Sequence, residues 1–426
     1  MKKKNGKSWL SLVIFSITGQ VAWVVENMYF NVFIYRMFNA SASDISLMVS
    51  ASAVAAALTT LFMGALSDKV GKRKVFMTLG YIIWGITIFA FSFIRVDVIS
   101  RFFPVGAALS IGVTLVIVMD CVMTFFGSTA NDAAYNAWVT DLTDDTNRGK
   151  AEGINSMMPL IAILVVFGGF MGFDLTLESS WISIFRIIGT AVILIGVLGL
   201  FIVEDPKLET DENQNYFRNL FYGFTLKVVK ENPYLYLSFI AYAVFGISIQ
   251  IFMPYLILYY NVSLGLDNYV IIMAPAIILA AVFTFFYGRV YDRKKFEKSI
   301  NLPLILLSAG YLVLFFFTNT VLVFVGSLLM MMGYLSGMSI FGAVIRDYTP
   351  ENKAGTFQGL RIFSQVLIPG VIGPAIGAAI LKNAEMIVND DGTSSFIPNS
   401  WIFLSAMVVI LVLLAYLNMF MFRKKK

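Results

Sequence analysis

The sequence contains no histidine and a single cysteine, Cys121. One thiol cannot form a disulfide within the chain, and metal sites built from imidazole or thiolate ligands lack the residues they need. The sequence also has no thiol pair and no glycine-rich loop that could hold phosphate groups, so the usual parts of an active site are missing. We therefore expect no enzymatic activity, no metal site and no organic cofactor.

Charged residues are also scarce, at 13% of the 426 residues, whereas 58% are hydrophobic. Soluble globular proteins usually contain about 25% charged and about 45–50% apolar residues. A soluble core of this size cannot bury so many apolar side chains, which indicates that lipid covers the rest. A soluble enzyme and a disordered chain are excluded. The net charge of +5 comes from short basic clusters between apolar runs, which is typical of membrane topology rather than of nucleic-acid binding.

Twelve apolar runs are each long enough to cross the hydrocarbon layer as a helix of about 20 residues. Helices are expected because an open strand would leave backbone groups without hydrogen bonds in lipid, and the runs lack the alternation of barrel strands. The predicted spans are residues 9–37, 44–66, 74–95, 106–139, 154–173, 182–203, 234–261, 268–289, 299–318, 320–345, 360–382 and 400–422. The predicted fold class is an all-α membrane protein with twelve transmembrane helices.

The distribution of lysine and arginine predicts the orientation of these helices. With the N-terminus placed in the cytoplasm, 26 of the 31 basic residues fall in inner segments. The five in outer segments are Arg36, Arg95, Arg101, Arg186 and Lys382. Basic residues are enriched on the cytoplasmic side of membrane proteins. We expect a multi-pass protein of the cytoplasmic membrane with both termini in the cytoplasm.

The longest polar stretch, residues 204–219, follows the sixth span and divides the chain into two sets of six helices. The predicted domains are an N-terminal bundle of residues 1–203, a cytoplasmic linker of residues 204–233 and a C-terminal bundle of residues 234–426. The loops after spans 4 and 10 match at a constant offset of 206, at which Asp141 meets Asp347 and Gly149 meets Gly355. Matching loops on one side indicate parallel repeats about an axis along the membrane normal, although cytoplasmic turns also share such residues by chance.

The loop after span 2 reads GALSDKVGKRK, and the loop after span 8 reads GRVYDRKKFEK. The first resembles the loop signature of the major facilitator superfamily, Gly-x-Leu-x-Asp-(Arg/Lys)-x-Gly-(Arg/Lys)-(Arg/Lys). Together with two parallel six-helix halves, the resemblance covers the whole chain. It implies a transporter with the major facilitator fold, in which two six-helix bundles are related by pseudo-twofold symmetry.

In that superfamily the loop stabilises the outward-open state through a charge network on the inner side. The resemblance implies that Asp68 pairs with Arg73 and faces a helix N-terminus, whose partial positive charge favours a carboxylate, while Gly71 forms the turn. The basic residues of the loop also serve as topological charges. The implied gating residues of the two halves are Gly64, Asp68, Gly71, Arg73, Asp292 and Arg293.

Three acidic residues lie in the interior of predicted spans: Glu26 in span 1, and Asp120 and Asp132 in span 4. Ionisable groups inside a membrane are costly and by default mark a pathway or a coupling site. On a regular α-helix, Asp120 and Asn131 are eleven residues apart, close to three turns, and share a face. A carboxyl group in a medium of low dielectric constant favours its neutral form and can carry a proton. The predicted proton-coupling residues are Glu26, Asp132 and Asp120.

Carboxylates flanked by aromatic and amide side chains are suited to binding a sugar. Their oxygens accept hydrogen bonds from hydroxyl groups, and an indole face packs on the C–H side of a pyranose ring. The predicted substrate-binding residues are Asp132, Glu26, Asn131, Tyr135, Asn136, Trp23, Asn27, Gln250 and Tyr255. Each acid could instead be a structural group bonded to a neighbouring helix, and the aromatic residues could serve in packing.

A narrower resemblance concerns the stretch from Asn131 to Gly153, NDAAYNAWVTDLTDDTNRGKAEG. It is similar to the fourth helix and following loop of the glycoside–pentoside–hexuronide cation symporters and the related sucrose transporters, and it implies that Asp132 binds the sugar. Sodium-coupled members carry carboxylates in helix 2, whereas residues 46–66 of the second span here contain none. A lysine expected in helix 11 is replaced by Gly370. These departures favour a proton over sodium as the coupling ion.

The sequence as a whole predicts a secondary transporter that imports a sugar or glycoside together with protons by alternating access. The alternative is a proton-coupled antiporter that exports drugs or small metabolites, because that class shares the loop signature and an acid in an early helix. The expected partners are a small-molecule substrate, a sugar, and the lipid bilayer. We expect no nucleic-acid partner and a monomeric protein.

Overall fold

The computed structural model describes residues 6–143, 147–205, 222–349, 360–389 and 392–422. Two regions that the sequence analysis used fall partly outside these ranges. The central part of the predicted linker and the loop containing Gly355 are not among the described residues. The repeat match between Gly149 and Gly355 therefore stays a prediction.

Long helices make up most of the described chain. They are α1 Lys7–Phe38, α2 Ala42–Val70, α3 Arg73–Phe93, α4 Ala108–Leu142, α5 Gly153–Phe170, α6 Glu178–Ile202, α7 Pro233–Ser263, α8 Val270–Tyr291, α9 Asn301–Phe316, α10 Thr320–Tyr348, α11 Leu360–Leu381 and α12 Trp401–Met419. Eleven of these are long and apolar enough to span a membrane, and α9 is so together with the preceding segment Arg293–Ser299, which is bent by 42° against it. For the residues described, the predicted all-α membrane fold is confirmed.

The helix surfaces carry large apolar side chains that the fold leaves exposed. Phe201 of α6, Phe285 of α8 and Val321 of α10 are examples, each more than two-thirds exposed. Soluble proteins rarely leave extended apolar surfaces uncovered. Lipid is the solvent that such surfaces require, in agreement with the composition.

Short elements connect some of the long helices. The helical turns are Val96–Ile99, Val105–Ala107, Tyr222–Phe224 and Leu226–Glu231. An antiparallel hairpin of β1 Met386–Val388 and β2 Ser394–Phe396 lies between α11 and α12. The Asn389 side chain donates a hydrogen bond to Thr393 Oγ1 at 3.0 Å, and Gly392 has a φ of +79°, which glycine adopts without strain. The sequence does not predict this hairpin, because its strands have only three residues each.

The chain folds as two compact units. Unit 1 contains Met1–Ala40 and Ala51–Leu220, and unit 2 contains Ser41–Ser50 and Phe221–Lys426. The first turns of α2 thus belong to unit 2, and the rest of the helix belongs to unit 1. The predicted bundles of residues 1–203 and 234–426, with a linker between them, stay a prediction.

An aromatic cluster forms part of the core of unit 1. The ring of Phe185 lies 4.8 Å from that of Phe33, 5.4 Å from those of Phe30 and Phe91, and 6.0 Å from that of Trp181, measured between centroids. Aromatic rings at such distances stabilise a core beyond the burial of their area. The cluster fixes α1 against α3 and α6. It therefore also fixes the positions of the α1 residues that lie one turn or more from the cluster.

Glycines allow α3 and α6 to approach closely. A Cβ atom at Gly85 would lie 2.6 Å from the backbone nitrogen of Ile193, and one at Gly189 would lie 2.7 Å from that of Phe89. In unit 2, a Cβ atom at Gly310 of α9 would lie 2.4 Å from the backbone nitrogen of Met330 in α10. Small residues at helix interfaces are the usual means of close packing in membranes.

We predict that Gly189→Ala lowers the melting temperature of the purified protein in detergent. The added methyl group must push α3 and α6 apart, which costs about 1–3 kcal/mol for overpacking. Gly168→Ala is the matched control, because nothing lies within 4 Å of a Cβ atom at Gly168 in α5. Equal melting temperatures of the two variants would contradict the tight α3–α6 contact.

Candidate coupling and substrate site

Several long helices change from α to π geometry along their length. The π segments are Val25–Tyr29 in α1, Ser128–Tyr135 in α4, Tyr259–Ser263 in α7, Phe363–Leu367 in α11 and Leu417–Phe422 at the end of α12. Such segments interrupt the regular i→i+4 bonding and frequently occur at functional sites. Glu26 and Asp132 lie in the first two of them, so the helix geometry changes where the acidic side chains are.

The carboxyl group of Glu26 contacts hydroxyl groups from two other helices. Its Oε1 atom lies 2.8 Å from Ser52 Oγ of α2 and 2.8 Å from Thr124 Oγ1 of α4. The two hydroxyl oxygens are also 2.8 Å apart, so the three oxygens form a closed set that we call the Glu26 triangle. Glu26 is 7% exposed, and its Oε2 atom is buried without a hydrogen-bond partner among the described residues.

Asp120 is a second buried acid near Glu26. It is 2% exposed, and its Oδ1 atom has no hydrogen-bond partner in the described part of the chain. The charged groups with which these two carboxyls interact electrostatically are acidic: each other and, for Glu26, Asp132. Ionising both groups would therefore place uncompensated charge in a buried site. The ranges that the structure describes contain no group of three or more cysteine or acidic residues able to hold a metal ion.

Asp132 is half-buried, unlike the two other acids. Ser128 Oγ donates to its Oδ2 atom at 3.0 Å, and the Asn131 side chain donates to its Oδ1 atom at 3.3 Å. The indole of Trp23, which is also half-buried, packs on that of Trp84 with 5.0 Å between centroids. Both oxygens of Asp132 keep a lone pair for a further donor, because a carboxylate accepts about four hydrogen bonds.

Asn131 is held by groups of two other helices. Its Oδ1 atom accepts a hydrogen bond from the Tyr81 hydroxyl of α3 at 2.9 Å, and a Cβ atom at Gly19 of α1 would lie 2.2 Å from it. Asn131 is therefore a buried contact between α1, α3 and α4. The common face with Asp120 stays a prediction, and α4 has π geometry over Ser128–Tyr135.

The hydroxyl residues of this site are absent from the predicted set. Asp120, Thr124, Ser128 and Asp132 follow one another at a spacing of four in α4. Residues four apart are neighbours on a helix surface, so the sequence contains a readable signal for the two hydroxyls of this row. Ser52 lies among small apolar residues of α2, and no pattern in the sequence connects it with Glu26.

Three other predicted ligands are bonded within unit 1. The Tyr135 hydroxyl lies 2.6 Å from Asn155 Oδ1 and 3.1 Å from the Leu12 carbonyl, so this buried residue joins α4 to α5 and α1. Asn27 and Asn136 are exposed, and each donates to a carbonyl four residues earlier in its own helix, at 2.8 and 3.0 Å. The side-chain carbonyl oxygens of the two exposed asparagines stay available to a ligand. The Tyr135 hydroxyl, in contrast, is occupied by contacts between helices.

The predicted ligands of unit 2 lie on α7. Gln250 is half-buried, and its Cβ atom faces α11, where a Cβ atom at Gly373 would lie 2.4 Å away. Tyr255 is fully buried, and its hydroxyl donates to the Ala42 carbonyl at 2.9 Å. Pro254 is the second residue of a short 3₁₀ turn at Met253–Tyr255 that interrupts α7. Tyr255 therefore acts as a packing residue here.

Arg73 holds together the ends of α2, α3 and α4. Its guanidinium lies 2.5 Å from Asp68 Oδ1 and 2.8 Å from Asp141 Oδ2, and it donates to Ser67 Oγ at 2.6 Å. We call this group the Arg73 clamp. Gly71 has a φ of +68°, which explains glycine at the turn. The implied pair of Asp68 and Arg73 is thus present, Asp141 is an additional partner that the sequence analysis missed, and the gating role stays a prediction.

The corresponding loop of unit 2 is built differently. The Tyr291 hydroxyl donates to Asp347 Oδ2 at 2.7 Å, and Arg293 is exposed. The side chain of Asp292 is not among those described. Asp141 and Asp347, which the offset of 206 aligns, are thus each bonded to a residue within the corresponding loop sequence of their own unit. A Cβ atom at Gly64 would have open space around it, so that glycine is not required there by packing.

Comparisons with known proteins agree with this architecture. The family model described as Major Facilitator Superfamily matches residues 10–374. The xylose transporter XylE from E. coli, in a partially occluded inward-open conformation, is similar in structure with a TM-score of 0.71, 11% identity, and 97% of this chain and 99% of that chain covered. A comparison with curated sequences gives no significant match.

Two further solved structures share the fold. The nucleoside transporter NupG has a TM-score of 0.67 and 15% identity, with 98% of this chain and 100% of that chain covered. A bacterial homologue of the human lysosomal transporter Spinster, inward-facing and unoccupied, has a TM-score of 0.68 and 14% identity, with 97% and 96% covered. At these identities the likeness establishes the fold alone. The family match covers most of the chain, which therefore belongs to the major facilitator superfamily and is a multi-pass membrane transporter of small molecules, not an enzyme.

Proposed function

We propose that this transporter imports a sugar or glycoside together with protons, with Glu26 as the principal proton carrier and Asp132 as a sugar ligand. The proposal includes the narrower likeness to the glycoside–pentoside–hexuronide symporters, a location in the cytoplasmic membrane with both termini inside, and a monomeric state. Alternating access of one site to the two sides of the membrane is the general mechanism of secondary transporters.

The single observation that carries the proposal is the set of three mutual oxygen contacts in the Glu26 triangle, because their number sets how many protons the group needs. Its three contacts of 2.8 Å all have hydrogen-bond length. Ser52 and Thr124 contribute one hydroxyl proton each, which fills two of the three contacts. A proton on Glu26 Oε1 fills the third, and each oxygen then donates one hydrogen bond and accepts one. The geometry is therefore complete when Glu26 is neutral.

The environment of Asp132 supports a sugar as the substrate. A half-buried carboxylate with free lone pairs accepts hydrogen bonds from adjacent hydroxyl groups, and Trp23 offers an indole face nearby in the same unit. Hydrogen bonds from neutral hydroxyls to a charged group are each worth about 1.5–3 kcal/mol. One transporter with the same fold, XylE, is named as a xylose transporter.

Two linked experiments test the identity of the sugar and the direction of transport. A thermal-shift panel of sucrose, maltose, lactose, melibiose and methyl β-D-glucuronide on the purified protein, with and without sodium, identifies the best sugar. Right-side-out vesicles under an inward proton gradient should then accumulate that sugar in its labelled form. Extrusion of a lipophilic dye without sugar uptake would instead support the proton-coupled exporter.

We predict that Glu26→Gln uncouples sugar uptake from the proton gradient. An amide fills the space of the carboxyl group but cannot release a proton, so a gradient of one pH unit should give about onefold accumulation instead of the about tenfold expected for one proton per sugar. Glu178→Gln, at an exposed residue of α6, is the control and should accumulate as the wild type does. Unchanged pH dependence in Glu26→Gln would place coupling elsewhere.

We predict that Asp132→Asn abolishes sugar binding while the protein still inserts and folds. Loss of the charged acceptor should raise the dissociation constant of the sugar by at least about tenfold, as estimated from the strength of hydrogen bonds to a charged group. Binding is measured by equilibrium dialysis on the purified protein, with the exposed Asp174→Asn as control. Wild-type affinity in Asp132→Asn would remove this residue from the site.

A further inference from the structure

We propose that Ser52 and Thr124 are positioning residues that make the contact between α2 and α4 depend on the proton of Glu26. The inference rests on the proposed proton coupling and adds the means by which protonation changes helix packing. It concerns two hydroxyls that touch the proton carrier from different helices, and all three side chains belong to unit 1.

The proton on Glu26 decides whether the contact between Ser52 Oγ and Thr124 Oγ1 is attractive or repulsive. With Glu26 neutral, the ring of three hydrogen bonds joins α1, α2 and α4. With Glu26 ionised, both hydroxyl protons point to the carboxylate, and Ser52 Oγ and Thr124 Oγ1 present lone pairs to each other at 2.8 Å. Two oxygen atoms with no proton between them repel each other at that distance, so the contact between α2 and α4 opens when the proton leaves.

No basic group in the described surroundings can replace the missing proton, and the acid Asp120 is the other carboxyl that interacts with Ser52. Ser52 is 8% exposed and Thr124 is 1% exposed. The titratable groups that face the carboxyls from the surrounding helices are Asp120, Cys121 and Asp132, all of them on α4 and none of them basic. The described surroundings therefore offer no ammonium or guanidinium group that could bridge the two hydroxyl oxygens.

Other buried hydroxyls on the same two helices have a different arrangement. Thr60 of α2 donates to the Ala56 carbonyl at 2.8 Å, and Thr129 of α4 donates to the Phe125 carbonyl at 2.7 Å. Bonding to the carbonyl four residues earlier is the usual choice of Ser and Thr within helices. Ser52 and Thr124 instead bond across helices to a carboxyl group, which is an arrangement that a titratable partner can break.

A movement of Ser52 displaces other parts of α2, because of where this residue lies in the helix. It follows the residues Ser41–Ser50, which group with unit 2, and stands at the start of the part that groups with unit 1. A helix transmits a displacement along its axis because its backbone hydrogen bonds are continuous. A shift at Ser52 is therefore carried along α2 in both directions.

The test separates sugar exchange from proton-driven accumulation. The purified full-length protein is placed in liposomes with the best sugar of the thermal-shift panel in labelled form. Counterflow measures exchange without net proton movement, and an imposed gradient of one pH unit measures accumulation. The variants are Ser52→Ala and Thr124→Val, with Ser52→Thr and Thr124→Ser as conservative replacements and Thr129→Val as the matched control on α4.

We expect Ser52→Ala and Thr124→Val to keep counterflow within about twofold of the wild type, while accumulation falls from about tenfold to about onefold. Ser52→Thr and Thr124→Ser should restore accumulation, since each retains a hydroxyl, and Thr129→Val should match the wild type.

Two results would overturn the inference. One is wild-type accumulation in both Ser52→Ala and Thr124→Val. The other is a joint loss of counterflow and accumulation that Ser52→Thr and Thr124→Ser also show, which would indicate a structural role. If the wild type itself fails to accumulate sugar under the gradient, the proposed function fails first, and this is seen before any variant is measured.

Discussion

A carboxyl group among apolar helices is stable only when its charge is removed or balanced, and the site in unit 1 follows from how this chain meets that requirement. Glu26 and Asp120 are buried and interact with each other, and the groups around them contribute hydroxyls and further acids rather than bases. The balance must then come from a cation that arrives from outside. A proton is the smallest such cation, and the Glu26 triangle has the geometry that a proton completes.

The Arg73 clamp and the Glu26 triangle hold their acidic residues in different ways. Arg73 gives Asp68 and Asp141 a permanent positive partner, and its donors form charge-assisted bonds, which are among the strongest in proteins. Such a group holds helix ends together irrespective of pH near neutrality. Glu26 has hydroxyl partners alone, so its bonding changes with one proton. The first site suits a mechanical role and the second suits coupling to a gradient.

The sequence was sufficient for the fold because helices in lipid leave little choice. Apolar runs of about 20 residues must be helical, and basic clusters between them mark the turns. The acids Glu26, Asp120 and Asp132 could also be identified, since charge within a span is rare. The pair of Asp68 and Arg73 followed from the loop signature.

The partners of those acids could not be derived in the same way. The common face of Asp120 and Asn131 was predicted for a uniform helix, and the π segment of α4 did not enter that prediction. Ser52 is far from Glu26 in sequence and is one of several hydroxyls in α2, so its contact depends on helix packing. Tyr135 and Tyr255 have hydroxyls suited to a ligand, yet carbonyl and amide groups of neighbouring segments occupy them.

The protonation of Glu26 in the closed triangle is the claim on which coupling depends, and infrared difference spectroscopy of the purified protein observes it directly. The spectrum recorded between acidic and alkaline buffer should contain the C=O stretches of several protonated carboxyl groups, and Glu26→Gln should lack one component that Glu178→Gln retains. A spectrum of Glu26→Gln that retains every component seen in Glu178→Gln would contradict the account.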